Sequence, residues 1–412
     1  MKRPSPRPPI RSAAAVLALL GACGGDAAPA SDTAAPGEAG VLEFPASAIQ
    51  RYETSEAIAE VQDVEVLDDG RVWVLNSIAP FFVAFDASGR VRAEYGARGG
   101  GPEDFRMPAG FVAGGLDGQA WALDLQRHAL IRIDGPESGW VERRIAAHPP
   151  GTLQGGMGLL HNTVRTAEWN GSIVVPHSTG TLQAGPMALV EAILKAELSL
   201  MTPDGSQATP VVNLGATLDD PFAEFEATEG GLPLWKRLWA VCGDHLRVYD
   251  RVRQQLRGFD VDGAEVAPLD LPDRRLRSVS TEVFVQAIFP LVQAETTGGV
   301  TGRVSAEDSA RMAAQAARQI TSSGERLAAY LPDWVDLRCA PSGTVWARPF
   351  GRESGGVDGG RDWVRIAPDG GRTEVRLPPG FEAFRFTDAR IWGVARDALD
   401  VPTVAWIALE GS

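Results

Sequence analysis

The sequence predicts an all-β chain, a six-bladed β-propeller of four-stranded antiparallel blades with a helical insertion between blades four and five. Three observations carry this. One motif recurs: Asp69-Gly70 followed by Arg71-Val-Trp-Val-Leu-Asn76 returns 48 residues later as Asp117-Gly118 followed by Gln119-Ala-Trp-Ala-Leu-Asp124. It returns again as Asp244 followed by His245-Leu-Arg-Val-Tyr-Asp250. Self-similarity at a fixed period of this length marks stacked or ring-arranged units. Within each copy, short apolar runs flank Asp-Gly pairs, the strongest short hairpin signal. Lastly, the chain ends one strand short of a complete unit, so its beginning must supply the missing strand.

In chain order, residues 1–22 have the form of a lipoprotein signal peptide. Lys2, Arg3, Arg7 and Arg11 make a positive start, and Ala13 to Leu20 is an apolar run too short to span a bilayer. Leu20-Gly21-Ala22-Cys23 resembles the bacterial lipobox and marks Cys23 for lipid attachment; an ordinary secretory signal cut after Ala22 is the alternative. Residues 23–40, rich in Ala, Pro, Gly, Ser and Asp, are expected to be a flexible tether. Residues 41–412 then form the propeller.

The first blade reads as Val64 to Leu67, a turn at Asp68-Asp69-Gly70, Val72 to Leu75, Phe81 to Phe85, a turn at Asp86-Ala-Ser-Gly89, and Val91 to Tyr95. Four antiparallel strands make one blade. Because each blade packs on two neighbours, Trp73 and Trp121, at one repeat position, are expected to fill the wedges between sheets. The same turn recurs at Gly70, Gly118, Gly171, Asp244, Gly343 and Asp388, six anchors for six blades. Uneven intervals imply insertions. Met187 to Leu200 is an amphipathic run, helix or strand pair; 217–238 is mixed; 276–328 looks helical, with Ser305-Ala-Glu-Asp308 as a capping start; Gly351 to Arg361 is a Gly-rich loop. Thr403 to Leu409 is the third strand of blade six, so the fourth is expected from Ile49 to Glu53, or from Val41 to Phe44. Such pairing removes a sheet edge that invites aggregation.

The 412 residues carry a net charge of −14, and removal of residues 1–22 leaves −18. That balance excludes nucleic acid as a partner, since phosphate binding needs a positive field. Cys242 and Cys339 fall near the ends of equivalent strands in different blades. Such positions are expected to lie beyond the ~7 Å Cα limit for a bridge, which predicts two buried, unpaired thiols.

Chemistry-bearing motifs are few. His128, His148, His161, His177 and His245 show no metal-ligand spacing, and the chain has no His-Glu-x-x-His, Cys-x-x-Cys or Gly-x-Ser-x-Gly. Asp260-Val-Asp262-Gly263 lacks the remaining ligands of a calcium loop and is expected to be a turn, as is Pro368-Asp369-Gly370. Asn76, Asp124 and Asp250 end the second strand of three blades. Turn stabilisation by their side chains is the first reading; weak candidacy as metal ligands facing the channel is the second. Glu103 and Asp104 are expected to be a solvated pair. Phe222, Phe225, Trp235, Trp239 and Phe284 either line a groove under the insertions or dock them to the blades.

Gly99-Gly-Gly-Pro-Glu-Asp-Phe105, with Pro108 and then Asp117-Gly118, resembles the NHL repeat pattern of a Gly-Pro-Gly-Glu-Phe-like turn followed by Pro and an Asp-Gly strand. Asp124, Arg127-His128 and Ile131-Arg132-Ile133 resemble its later part. The likeness covers residues 59–135, with Glu103 where the repeat carries Gly. Taken whole, the chain is similar to bacterial six-bladed β-propeller lipoproteins. That group has no generally assigned activity, and the expectation is an exported, lipid-anchored binding or scaffolding module of the cell envelope, with no cofactor, contacting the membrane through its anchor and binding a protein, peptide or glycan. The alternative is a metal-dependent hydrolase or lactonase resembling gluconolactonase-type enzymes, whose chemistry needs convergent Glu, Asn and Asp side chains.

Overall fold

A computed structural model describes residues 41–101, 104–124, 126–127, 129–133, 144–146, 165–178, 196–214, 238–251, 253–272, 333–350 and 361–409. All belong to the second of two compact units, Ala39–Ser412, the first being Met1–Glu38. The expected leader, tether, 276–328 insertion and Gly-rich loop from 351 to 360 lie outside the described residues, as do Phe222, Phe225, Trp235 and Phe284.

The regular structure of the described residues is almost entirely strand, and their one helical element is a single 3-10 turn, Ala46–Ala48. After β1 (Val41–Glu43) and β2 (Ile49–Arg51), strands β3 (Val61–Val66), β4 (Val72–Asn76), β5 (Phe82–Phe85) and β6 (Val91–Tyr95) form one antiparallel sheet. Two short strands, β7 (Ala97–Arg98) and β8 (Asp104–Phe105), pair in the Gly-Pro loop. An eight-stranded sheet follows. One half is β9 (Pro108–Ala113), β10 (Ala120–Asp124), β11 (Ala129–Ile133) and β12 (Arg144–Ala146); the other is β13 (Thr166–Trp169), β14 (Ser172–Ser178), β15 (Ala196–Met201) and β16 (Ala208–Asn213). Only Thr166↔Val112 and Ala167↔Ala113, a parallel pairing of β13 with β9, join the halves. Strands β17 (Trp239–Cys242), β18 (His245–Asp250), β19 (Gln255–Phe259) and β20 (Glu265–Asp270) make a further sheet. Strands β21 (Trp334–Cys339), β22 (Val345–Pro349), β23 (Asp362–Ile366) and β24 (Arg372–Arg376) make the next, with β1 added parallel to β24. Strands β25 (Phe381–Phe386), β26 (Arg390–Arg396) and β27 (Pro402–Ala408) take β2 as their fourth member.

The closing strand falls where the sequence places it. Ile49, Gln50 and Arg51 pair antiparallel with Ile407, Trp406 and Ala405. The other expected donor, Val41–Glu43, is also a strand but goes to the preceding sheet. Past β2 the chain runs on to the β3–β6 sheet, where Glu53 N–H donates to the Gly89 carbonyl. Gly89 has φ +83°, and a Cβ there would strike the Tyr52 ring at 2.5 Å, so the turn needs glycine twice over.

Why these strands pack as they do follows from their burial. All five residues of β4 and all five of β10 are buried, as expected for strands covered on both faces. Each face meets a neighbouring sheet. Trp73, Phe82, Phe105 and Phe111 fill the wedge between β3–β6 and β9–β12. Trp121 packs towards Ile173, Val175 and Met201, and Trp169 and Val174 meet Trp239, Leu246 and Phe259. Leu256 meets Trp334 and Val345, and Trp346 and Trp363 meet Phe386 and Ile391. The final cluster sets Trp392, Val394 and Val404 against Val64, Val74 and Phe85, returning to the first sheet. This is a β-propeller arrangement, and Trp73 and Trp121 occupy wedges as predicted. Trp239, one of the aromatic groove candidates, is wedge core.

One expectation is revised. Cys242 and Cys339 are disulfide-bonded, with Cα atoms 5.0 Å apart. They lie on β17 and β21, the first strands of adjacent sheets, where the turns converge: a Cβ on Gly243 would meet the Pro341 carbonyl at 3.4 Å. At these first strands the gap therefore falls within bridging range. Of the two readings of Met187 to Leu200, helix or strand pair, the described part, from Ala196, takes the strand, in β15.

Candidate functional site

The first strand of each sheet carries the site. Directly across the ladder from Trp73, Trp346 and Trp392 stand Glu65, Arg338 and Arg385. Paired residues share a sheet face, so each wedge tryptophan has a charge at its β3, β21 or β25 end. In all three sheets a register irregularity lies close by, at Val61/Asp63, Trp334/Asp336 and Ala383/Arg385. Bulges of this kind re-aim side chains.

These charges reach between sheets. Arg385 Nε lies 3.4 Å from Glu65 Oε1, which also accepts from the Gly114 amide at 3.3 Å. Asp63 Oδ2 accepts from the Phe111 amide at 2.9 Å. Arg165, just ahead of β13, pairs with Asp336 at 2.7 Å and donates to the Leu337 carbonyl at 2.8 Å. Arg338 lies 3.3 Å from the same Asp336 oxygen. Residues from five sheet segments therefore meet in one cluster of three carboxylates and three guanidiniums. Glu65 is 3% exposed, and burial pushes its carboxyl up to about 7, against the pull of Arg385 and with a push from Asp63. Although burial opposes it, Arg338 is held above the ordinary guanidinium range by Asp336, Asp63 and Glu65. Lost hydration and then Arg338 lower Arg165.

Chemically, the cluster offers one carboxyl that exchanges its proton near neutrality. As a calcium site it fits poorly: Asp336 is shared by two guanidiniums, Glu65 is committed to Arg385 and Gly114, and their charges offset. A divalent ion needs an uncompensated set of oxygens. Among the described residues no group of three His, Cys, Asp or Glu is placed to hold a metal.

Each predicted oxygen ligand serves its own loop. Asn76 donates through Nδ2 to the Ala57 and Pro80 carbonyls, both at 2.9 Å, while its buried Oδ1 has no partner. Asp124 accepts from the Arg106, Met107 and Arg127 amides. Asp250 accepts from the Arg253 amide and guanidinium. No hydrogen bond links one of the three to another. Asp104 folds back to accept from the Gly101 amide at 2.7 Å, and Glu103 lies outside the described residues. Asp260 and Gly263 close a hairpin turn, Gly263 N–H donating to the Asp260 carbonyl. His245 opens β18; His128, His148 and His161 lie outside the described residues, and His177 is described only as part of β14.

A second buried polar set sits where β17–β20 meets β21–β24. Tyr249 Oη, Gln254 Nε2 and Arg251 Nε all donate to Asp333 Oδ2, at 3.0, 2.8 and 3.3 Å. Gln254 holds a left-handed φ of +56°. Burial first, then Asp333, raises the Tyr249 phenol well above its ordinary range.

No protein-family model matches the chain, and no curated protein matches it in sequence. Among solved structures it is similar to virginiamycin B lyase from Staphylococcus aureus, with 12% identity and TM-score 0.40 over 88% of this chain and 89% of that one. A gluconolactonase from Xanthomonas campestris gives 11% and 0.42 over 85% and 87%. Regucalcin, a calcium-binding protein from Agrobacterium tumefaciens, gives 11% and 0.41 over 90% and 97%. The propeller arrangement rests on the strand pairing and cores above, and none of these likenesses assigns an activity.

Proposed function

We propose that this chain is an exported, lipid-anchored six-bladed β-propeller acting as a binding or scaffolding module of the bacterial cell envelope. Its partner would be a protein, peptide or glycan, held at Cys23-tethered distance from the membrane. Six wedge cores, each between successive four-stranded groups, support the blade count. Inserted segments, the 276–328 one helical by its sequence pattern, would supply the recognition surface, since loops on a rigid scaffold carry function.

One observation favours a binding module over a metal-dependent hydrolase: the carboxylates gathered from the first strands are matched by Arg165, Arg338 and Arg385. Calcium titration of the full chain by calorimetry tests this. Absence of saturable calcium binding, with thermal unfolding unchanged by a chelator, is the expected result. Stoichiometric calcium that raises the unfolding temperature and is lost on Asp124→Ala would replace this reading with the hydrolase. Crosslinking in cells from the 276–328 segment should then yield one discrete adduct.

A further inference from the structure

The face that β21–β24 turns towards β25–β27 carries a checkerboard of arginine and tryptophan. Trp346 pairs across the ladder with Arg365 on one side and Arg338 on the other. One step along, Arg348 lies across from Asp336 on β21 and, continuing the β22–β23 register, beside Trp363. Arg348 and Arg365 are thus diagonal neighbours on one face, within reach of a shared contact for side chains this long.

Neither has a polar partner. Arg348 and Arg365 make no hydrogen bond or ion pair among the described residues, and the Nε of each is buried without an acceptor. Several other arginines find carboxylates, Arg71 with Asp69, Arg251 with Asp333, Arg257 with Glu265 and Arg376 with Asp362, and others find backbone carbonyls, as Arg247 and Arg361 do. Such orphaning is unexpected in a chain with 53 acidic against 39 basic side chains. Asp336 is committed to Arg165 and Arg338, and Glu382 feels Arg348 only through space. Stacking does not explain the pair either. Arg348 lies 5.8 Å from the Trp363 centroid and Arg365 6.0 Å from that of Trp346, the outer limit of a cation–π contact, whereas Arg390 sits 4.1 Å over Trp406.

We infer that Arg348 and Arg365 form a binding site for a small oxyanion, a carboxylate or phosphate group. Each residue is half-buried and its Nε–H is enclosed, so what a ligand can reach is the outer part of each guanidinium. An oxyanion between them accepts from those outer N–H groups and relieves the repulsion of two like charges on one face. Charge-assisted bonds from two forks are the strong kind, and Arg338, flanking Trp346, adds its field. The site stands whether or not the chain is a scaffold.

The test is calorimetric titration of the full chain with inorganic phosphate and, separately, acetate, against chloride at matched ionic strength. Saturable one-site binding of either is expected, and which one binds identifies the group. Arg348→Gln and Arg365→Gln should each weaken it about tenfold, and the pair together should abolish it. Arg390→Gln, which removes an arginine stacked on tryptophan elsewhere, should leave it unchanged. Should the variants fail to fold, phenylglyoxal labelling of the unaltered chain gives the answer: the bound anion slows modification of Arg348 and Arg365 and not of Arg390. No binding beyond chloride, binding that survives the double variant, or labelling indifferent to the anion overturns the proposal.

Discussion

Two junctions between neighbouring sheets solve one problem differently. Where β3–β6 meets β9–β12, the gap is filled by rings: Trp73, Phe82, Phe105 and Phe111, with Phe82 and Phe105 centroids 4.8 Å apart in an edge-on arrangement. Where β17–β20 meets β21–β24, the position of Trp73 is taken by Arg247, whose Nη1 donates to the Ala267 carbonyl at 2.6 Å. That core contains Trp334 but no phenylalanine. In place of aromatic bulk it has the Cys242–Cys339 bond and three donors gathered on Asp333. Aromatic bulk fills the first junction, beside the Asp63 and Glu65 bonds to the β9 segment, whereas directional and covalent links stand in for that bulk at the second. The lesson is that a ring of similar units can lose a packing residue locally if a bond of another kind spans the same gap.

The comparison makes four measurable claims. Trp73→Ala should lower unfolding free energy by about 3–5 kcal/mol, read from denaturant melts, with equal loss in oxidising and reducing buffer. Reduction, or Cys242→Ser with Cys339→Ser, should remove about 2–4 kcal/mol. Its loss should add to that of Trp73→Ala, because the sites share no partner. Strong non-additivity would mean the two junctions yield as one.

The third claim concerns protons. Glu65 bonds the amide of Gly114 and so belongs to the aromatic junction. Its carboxyl holds a proton more tightly in the folded state, at about 7, than the ordinary 4.5. The contribution of Glu65 to stability is therefore full below about pH 4.5 and is lost as pH rises through 7, a change on the order of 3 kcal/mol. Glu65→Gln should flatten that slope; a slope unchanged in the variant would assign it elsewhere. The smallest effect is local to the other junction. A Cβ on Gly258 would strike Arg247 and, at 2.6 Å, Val266. Gly258→Ala should cost about 1–3 kcal/mol, and part of it should be recovered with Arg247→Ala. A double-mutant cycle with no coupling would show that Arg247 is not what the glycine accommodates.

Much of this architecture was legible from local signals. Asp-Gly turns between apolar runs located the β3–β4 and β9–β10 hairpins, and the shortfall of a strand at the end pointed to Ile49–Arg51. The charged cluster was not, because its members come from strands far apart in sequence and only the ring assembles them. A trace existed nonetheless. Asp63-Val64-Glu65 and Asp336-Leu337-Arg338 place charges on either side of a buried apolar residue in first strands, where apolar side chains are expected. Asn76, Asp124 and Asp250 are the more visible pattern, because turns recur. The disulfide was missed for a geometric reason: repeat spacing says which positions are equivalent but not how sharply sheets converge at their first strands.

Pairing between Ile49–Arg51 and Pro402–Ala408 has a consequence for biogenesis. A polypeptide made from its amino end delivers the closing strand early and its partner nearly last. Until Pro402–Ala408 emerges, β2 has no ladder to join, and β26 would expose a bare edge. Ribosomal stalling or proteolysis that trims the last dozen residues would thus leave an unclosed, adhesive intermediate, with a defined lesion for quality control to recognise.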